Sequence, residues 1–363
     1  MTFKTLSSPG QIEAELTRIW ETLEGTSKMR ASLFNLIFYV PNNQRAEYYR
    51  SIALKAIQKF PSRILFISVD QTPGANFLKS SVSVLPVGSA ENDAACDFIQ
   101  IDVAGLQQLR IPFVVLPHIV PDLPVYLVWA EDPMEDNPLA YPLEKLCTRL
   151  IFDSEATTNL PEFAKAVIRH QAVSQADIAD LNWARMESWR DLFSTCFYTE
   201  ERLGLLKKTK TLKIQYNGRE TPFFCHTKIQ AIYFQAWLAC QLEWKLDGLA
   251  STSDSLSFSY QQGAVQISLV PAQNEKLAPG TLMSIDLMTS EGHHFAFSRD
   301  PAFPPQINMV LCTEDKCEIP AQFIFAKAES GQSLVKEIYH KRTSDHYLKV
   351  LNFVSKMDAM TLC

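Results

Sequence analysis

Leu33-Phe34-Asn35-Leu36-Ile37-Phe38-Tyr39-Val40 is nearly all apolar, with Asn35 the one strongly polar side chain in the run. A strand this apolar has no wet face, so it fits the interior of a parallel sheet covered on both sides. The flanking sequence keeps to that pattern. Residues 43–59 are helical in composition, with Ala46, Tyr49, Ile52, Ala53 and Ile57 roughly on one face. Ile64-Leu65-Phe66-Ile67-Ser68-Val69 predicts a second buried strand. Phe77 to Val87, Phe98 to Val103, Val125 to Trp129 and Leu150 to Asp153 are further strand candidates, with helical stretches between and after them. Alternation of this kind reads as α/β, a parallel sheet of Rossmann-like architecture. Upstream, Ile12, Leu16, Ile19, Trp20 and Leu23 form one apolar stripe and predict a helix over Gln11 to Leu23, entered through Ser8-Pro9 and stopped by Gly25. That stripe reads as packing on the body or, more sharply, as a face for a partner.

The pattern changes after about residue 175. Asp180 to Phe197 and about Lys228 to Trp244 read as helices. Leu256–Tyr260, Val265–Leu269, Leu282–Leu287, His294–Phe297 and Ile307–Leu311 then alternate with period 2, as in an antiparallel sheet with one wet face. Helices over Ser333–His340 and Ser344–Phe353 close the chain. The expected partition is an N-terminal helix over 1–28, a Rossmann-like α/β domain over 29–175 and an α+β domain with a mostly antiparallel sheet over 176–363.

Composition narrows the function. The 363 residues are 47% hydrophobic, enough for about two cored domains. Lys and Arg number 34 against 40 Asp and Glu, a net charge of −6, which argues against nucleic acid or anionic membrane as the main partner. No apolar run reaches the ~18–20 residues of a membrane span. Met1 to Gly10 holds no apolar leader core, so a cytoplasmic protein with reduced thiols is expected. Only 12 glycines occur and no two form a G-x-G. The phosphate-cradling loops of dinucleotide- and nucleotide-binding enzymes, and the G-x-S-x-G elbow, are therefore missing from the sequence. No cofactor is expected.

The chemistry-bearing residues give few constellations. His293 and His294 are adjacent and point to opposite faces of a strand, His118 lies between prolines, and there is no H-E-x-x-H, so no metal site is expected. Cys225-His226 and Cys363 are not ordered into a nucleophilic site. Cys312 and Cys317 are either unrelated thiols or a redox-responsive pair, the second requiring Cα atoms within about 7 Å. Asp122, Glu131, Asp132 and Glu135 gather around one strand, as a solvated loop or a working site. Asp180 to Phe193 is the unusual stretch, with Trp183, Arg185, Trp189 and Arg190 close together. On a single helix Arg185 and Trp189 would be neighbours. Tryptophan and arginine are enriched at interface hot spots, but a core helix with a paired Arg185 reads equally from these residues.

Four segments together resemble one family, the glucose-6-phosphate dehydrogenase assembly protein OpcA. They are Met29–Ser32 leading into Asn35–Val40; Arg110–Pro117 followed by Val120–Val125; Trp129 with Asp132-Pro133 and Leu150–Ser154; and Asp180–Arg185 with Trp189–Leu192. They span residues 29 to about 197; beyond residue 200 only the general layout is similar, and Cys312 and Cys317 find no counterpart. The resemblance implies a non-enzymatic protein of the bacterial cytoplasm that binds glucose-6-phosphate dehydrogenase, favours its active oligomer and raises its activity, feeding the oxidative pentose phosphate pathway and NADPH supply. Trp183, Arg185, Trp189 and Arg190 are then the candidate partner interface. The rival class is an enzyme or binder of sugar phosphates, with a site at strand ends near Asn42, Asp70 and Asp132, and convergence of Arg30 and Arg45 there would favour anion binding.

Overall fold

The computed structural model describes residues 3–24, 28–87, 94–134, 137–252, 255–313, 316–318, 320–325, 331–340 and 342–358. Gly25, Glu135 and Cys363, all weighed above, lie outside these. In chain order the elements begin β1 (Lys4–Leu6), α1 (Ile12–Leu23), β2 (Met29–Arg30), β3 (Asn35–Pro41), α2 (Ala46–Lys59), β4 (Arg63–Asp70), β5 (Phe77–Pro86) and β6 (Ala94–Ala104). They continue α3 (Ile111–Val115), β7 (Val125–Trp129), α4 (Ala140–Glu144), β8 (Arg149–Phe152), α5 (Leu160–Ser174), β9 (Asp177–Asp180), α6 (Leu181–Arg185), α7 (Glu187–Cys196) and α8 (Glu200–Lys207). Then follow β10 (Thr209–Asn217), α9 (Ile229–Gln241), β11 (Leu246–Ser251), β12 (Leu256–Tyr260), β13 (Val265–Ala272), β14 (Leu282–Thr289), β15 (His294–Arg299), β16 (Gln306–Cys312), β17 (Ala321–Ile324), α10 (Gln332–Tyr339) and α11 (Asp345–Val354).

The chain forms two compact units. The first takes Met1–Ala156, Arg169–Leu181 and Ser330–Thr343; the second takes Thr157–Ile168, Asn182–Glu329 and Ser344–Cys363.

The first unit is built on a nine-stranded sheet in the order β1-β5-β6-β4-β3-β7-β8-β9, with β2 beside β6. β3, β4, β6, β7, β8 and β9 run parallel. Every residue of β3 is buried, which is why its sequence lacks alternation. One face of this sheet carries Leu36, Phe38, Val40, Ile64, Phe66 and Phe98, packed with Ala46, Tyr49, Ile52, Ala53 and Ile57 of α2 and with Leu334 and Ile338 of α10. β5 departs from the parallel expectation. It pairs antiparallel with β6 along its whole length, and β1 adds antiparallel to β5. Ahead of α1, Ser8 caps a 3-10 turn at Pro9–Gln11, its Oγ accepting from the Gly10 amide at 3.3 Å, while Gln11 at the start of α1 itself makes no side-chain cap.

Several charges buried in this unit are paired. Asp97 on β6 accepts from Arg63 Nη2 at 2.7 Å, from Arg30 Nη2 at 2.5 Å and from the Trp20 indole at 2.8 Å. On α10, Glu337 Oε2 meets Arg149 Nη2 at 2.6 Å, with both side chains at most 6% exposed.

The second unit holds an eight-stranded sheet in the order β11-β12-β13-β10-β14-β15-β16-β17. All neighbours are antiparallel except β10 and β13. The period-2 burial of β12 and β16 matches their sequence alternation. α9 is buried continuously from Ile229 to Ala239, and α7 sets Phe193 against Phe234 and Phe297, with ring centroids 5.0 and 4.7 Å apart. Asp180–Phe197 is not one helix. Asp180 ends a strand, and the helical stretch breaks at Met186 into α6 and α7.

Removing the charge of Glu337 leaves the Arg149 guanidinium buried and unmatched. Glu337→Gln is expected to cost about 3 kcal/mol, the scale of a broken buried ion pair. The urea unfolding midpoint of the variant measures it, and an unchanged midpoint contradicts the assignment.

Candidate functional site

Two places collect the sequence-predicted residues. The first is the carboxyl edge of the parallel strands, where loops converge in open α/β sheets. The loop after β3 is Asn42-Asn43-Gln44-Arg45, and Asn43 Oδ1 accepts from the Arg45 amide at 2.8 Å. Arg45 does not reach outward. Its Nη2 donates to Asp153 Oδ2 at 2.7 Å, and Tyr49 Oη donates to the same oxygen at 2.9 Å. Asp153 is 1% exposed. Burial opposes the charge on Arg45, but the surrounding Tyr49, Asp153 and Glu155 outweigh it and raise its pKa. Burial, reinforced by Asp153, also raises the Tyr49 phenol, which stays neutral and donates.

Beside this pair, Glu131 accepts from Gln71 Nε2 at 3.0 Å and from Asn137 Nδ2 at 2.7 Å, and Asn137 Nδ2 also reaches Tyr39 Oη at 2.9 Å. Tyr39 in turn stacks on Trp129 at 4.3 Å. Asp132 Oδ1 accepts from the Met134 amide, a local turn. A cleft of about 280 Å³ opens over the same edge, lined by Asn42, Glu47, Arg50, Ser68, Asp70, Lys79 and Asp102 among others. Asp70 is held below its ordinary pKa by its hydrogen bonds to Thr72. Arg30 is nowhere near this edge. It is bound to Asp97, whose neighbours in β6 pair with the start of β4, at the opposite end of the sheet. Arg30 and Arg45 therefore do not converge, and each is closed onto a carboxylate.

The second place is α6 with α7. Trp183 is 4% and Trp189 is 2% exposed, so both rings are core side chains of the second unit. The ring of Trp183 lies 5.4 Å from Tyr347, and that of Trp189 lies 5.3 Å from Phe325 and 5.5 Å from the Arg299 guanidinium. Burial pulls Arg299 down to about 10. The break at Met186 changes the neighbours expected from one continuous helix. Arg190, not Trp189, closes the group: its guanidinium lies 3.7 Å from the Trp183 ring centroid, and Nη1 donates to the Trp183 carbonyl at 2.6 Å. Arg185 donates to Asn182 Oδ1 at 2.6 Å and lies 5.1 Å from the Phe224 ring. Both arginines are half-buried, so the solvent-facing part of this group is arginine, with Trp183 beneath Arg190 and Phe224 beside Arg185.

The remaining residues sort by burial. Cys312 and Cys317 are joined by a disulfide, with Cα atoms 4.0 Å apart. Burial pushes the Cys96 and Cys147 thiols up to about 12 and Cys196 to about 11, while Cys225 is exposed. His118 is buried against Glu13, its Nδ1 2.8 Å from Oε1. Burial raises the Glu13 pKa, but hydrogen bonding to His118 and the charge of Arg63 outweigh it and leave the pKa lowered. His294 Nε2 lies 3.6 Å from Asp286 Oδ1. Among the described residues no three His, Cys, Asp or Glu are placed to hold a metal ion, and no helix is long and apolar enough to cross a membrane. Sequence reasoning passed over Glu144 and His170, which meet at 2.6 Å. They lie twenty-six residues apart, and no local pattern signals the pair.

Residues 53–169 match the family model of the glucose-6-phosphate dehydrogenase subunit N-terminal domain, and residues 176–351 match that of its C-terminal domain. OpcA of Nostoc punctiforme, named as an OxPP cycle protein, is 27% identical over 187 residues, 51% of this chain and 38% of that relative. OpcA of a Synechocystis strain, named likewise, is 27% identical over 176 residues, 47% of this chain and 33% of that relative. These matches thus span little more than a third of the relatives' length. Among solved structures, the 3-ketoreductase KijD10 of Actinomadura kijaniata is 11% identical with a TM-score of 0.49, covering 89% of this chain and 95% of that one. That likeness is too distant to carry chemistry across.

Burial works against the charged form of His170, but its hydrogen bond to Glu144 and the charge there raise its pKa above 6.5. The raised value means the pair stabilises fully below 6.5 and loses that contribution as pH climbs through the folded-state pKa. Thermal unfolding of the wild type and of His170→Gln is therefore expected to differ more at acidic than at alkaline pH. A gap that widens with rising pH contradicts this.

Proposed function

This chain belongs to the glucose-6-phosphate dehydrogenase subunit family, and on that premise we propose that it binds glucose-6-phosphate dehydrogenase and favours its active oligomer. The observation that carries the reading is the pair of family matches, which run over 53–169 and 176–351 and so take in most of both compact units. The chain acts as a non-catalytic, cytoplasmic partner, and the dehydrogenase does the chemistry of the oxidative pentose phosphate pathway and supplies NADPH.

The mechanism is linkage. A protein that binds one oligomeric form of the dehydrogenase better than another shifts the population toward it, and a coupling of ~1–3 kcal/mol changes apparent activity by several-fold to about a hundredfold. The half-buried Arg185 and Arg190 are the proposed contact groups. Their planar guanidiniums are already ordered on Phe224 and Trp183, so little side-chain freedom is left to lose on docking. Trp183 acts as the support of Arg190, and Trp189 packs in the core behind it. The sugar-phosphate reading has the strand-edge cleft in its favour, where Arg50 and Lys79 line one space. It has against it the three carboxylates of Glu47, Asp70 and Asp102 in the same lining, which repel a phosphate, and the separation of Arg30 from Arg45.

Titrating the chain into glucose-6-phosphate dehydrogenase at subsaturating glucose 6-phosphate tests the proposal. A saturable rise in rate is expected, with a larger complex by native mass. Arg185→Ala is expected to weaken the half-maximal concentration about tenfold or more, the scale of a hot-spot arginine, while unfolding as the wild type does. Trp189→Ala is expected to lose about 3–5 kcal/mol of stability first, as buried aromatic truncations do. No complex and no rise discards the function.

The Cys312–Cys317 disulfide supplies a second arm. If the pair regulates activation, reductant changes the half-maximal concentration for the wild type and leaves Cys312→Ser and Cys317→Ser indifferent. A redox response that persists in both variants removes the pair from the mechanism.

A further inference from the structure

Between β6 and β7 the chain crosses the sheet through a near-continuous helical stretch, from the 3-10 turn at Gly105–Arg110 through α3 to a second turn at Leu116–His118. Its inner side is core: Ile111, Val114, Val115 and His118 are all buried. Its outer side is apolar as well. Leu106 is 77% exposed, Leu109 52%, Phe113 79% and Leu116 57%. Their spacing of three, four and three residues places them along one face. From Gly105 to Pro121 Arg110 is the sole Lys, Arg, Asp or Glu, and its Nη1 is turned along the helix to Gln107 Oε1 at 3.0 Å. Helical segments that are apolar all round are normally buried on all sides.

We propose that a second copy of this chain covers the stripe, two crossover stretches packing antiparallel about a two-fold axis. Self-pairing matches the pattern. The axis falls near the middle of the stripe, so Leu109 of one copy meets Phe113 of the other and Leu106 meets Leu116, an isologous contact. The area is right as well. At the roughly 150–250 Å² of a fully exposed large side chain, these exposures leave about 500 Å² of apolar surface, near the upper end of what monomers show. Two copies bury about 1,000 Å² between them, the lower bound of a specific interface. A lipid surface asks for a cationic rim that a lone Arg110 does not supply. A charged partner surface finds no complementary charge along the stripe. The inference stands apart from the dehydrogenase reading, since it concerns the chain alone.

Sedimentation of the purified chain over about 0.1–100 µM, the range where an interface this small associates, measures it. The mass is expected to rise from one chain to two. Phe113→Glu and Leu109→Glu are each expected to move the midpoint at least tenfold to higher concentration with no change in thermal unfolding, because both side chains are exposed. Gln107→Glu, beside the stripe, serves as the control for added charge and is expected to leave the midpoint near that of the wild type. A chain that stays monomeric throughout overturns the proposal, and so does a dimer that both stripe variants leave intact. If the chain is monomeric and Phe113→Glu instead loses the dehydrogenase complex, the stripe belongs to that partner and the self-association is overturned. Loss of dehydrogenase activation with dimerisation intact counts against the proposed function alone.

Discussion

The first unit is organised by a strand that can show no face to water. With every side chain from Asn35 to Pro41 buried, β3 has to be roofed on both sides and flanked on both edges. The remaining elements answer that demand. β4 and β7 occupy the edges, and α2 brings Tyr49, Ile52, Ala53 and Ile57 over one face. The same demand disposes of polar groups at the strand ends. Asn35 gives its amide to the carbonyl of Val120, Arg63 is tied to Asp97 and Glu13, and Arg45 to Asp153. The arginines at these strand ends are folded back onto carboxylates.

Much of this was legible residue by residue. Continuous apolar runs marked β3 and β4, period 2 marked β12 to β16, and the four-residue recurrence of Ile12, Leu16 and Trp20 marked α1. What escaped notice has a common cause. β9 is the short Asp177-Ile178-Ala179-Asp180, polar at both ends, and β10 alternates, with Leu212, Ile214 and Tyr216 two apart, but its first three residues are Thr, Lys and Thr and weaken the signal. β5 reads as any buried strand, because direction is not written in side-chain hydrophobicity. It is set by the partner it meets.

The Trp–Arg group shows the same limit at closer range. Its composition was conspicuous, but the geometry read from it assumed an unbroken helix. Met186 interrupts that helix, and the guanidinium of Arg190 lies on the face of Trp183. Burial could not be read either, since tryptophan and arginine enrich cores and interfaces alike. The Glu144–His170 and Arg149–Glu337 pairs join residues far apart in sequence, where no motif operates.

That last pair bears on how the protein is made. Synthesis is vectorial, at roughly 5–20 residues per second, and Arg149 leaves the ribosome long before Glu337 exists. Until then the first unit lacks Leu334 and Ile338 from its core, and an arginine destined for the interior has no counter-charge. From Arg149 until Glu337 the nascent chain carries an unfinished groove over α2, while the whole antiparallel sheet is produced in between. Such a protein cannot mature one unit at a time from its N-terminus. The first unit closes only once Ser330–Thr343 has been made, and until then its open apolar surface is exposed to the misassembly that such surfaces invite.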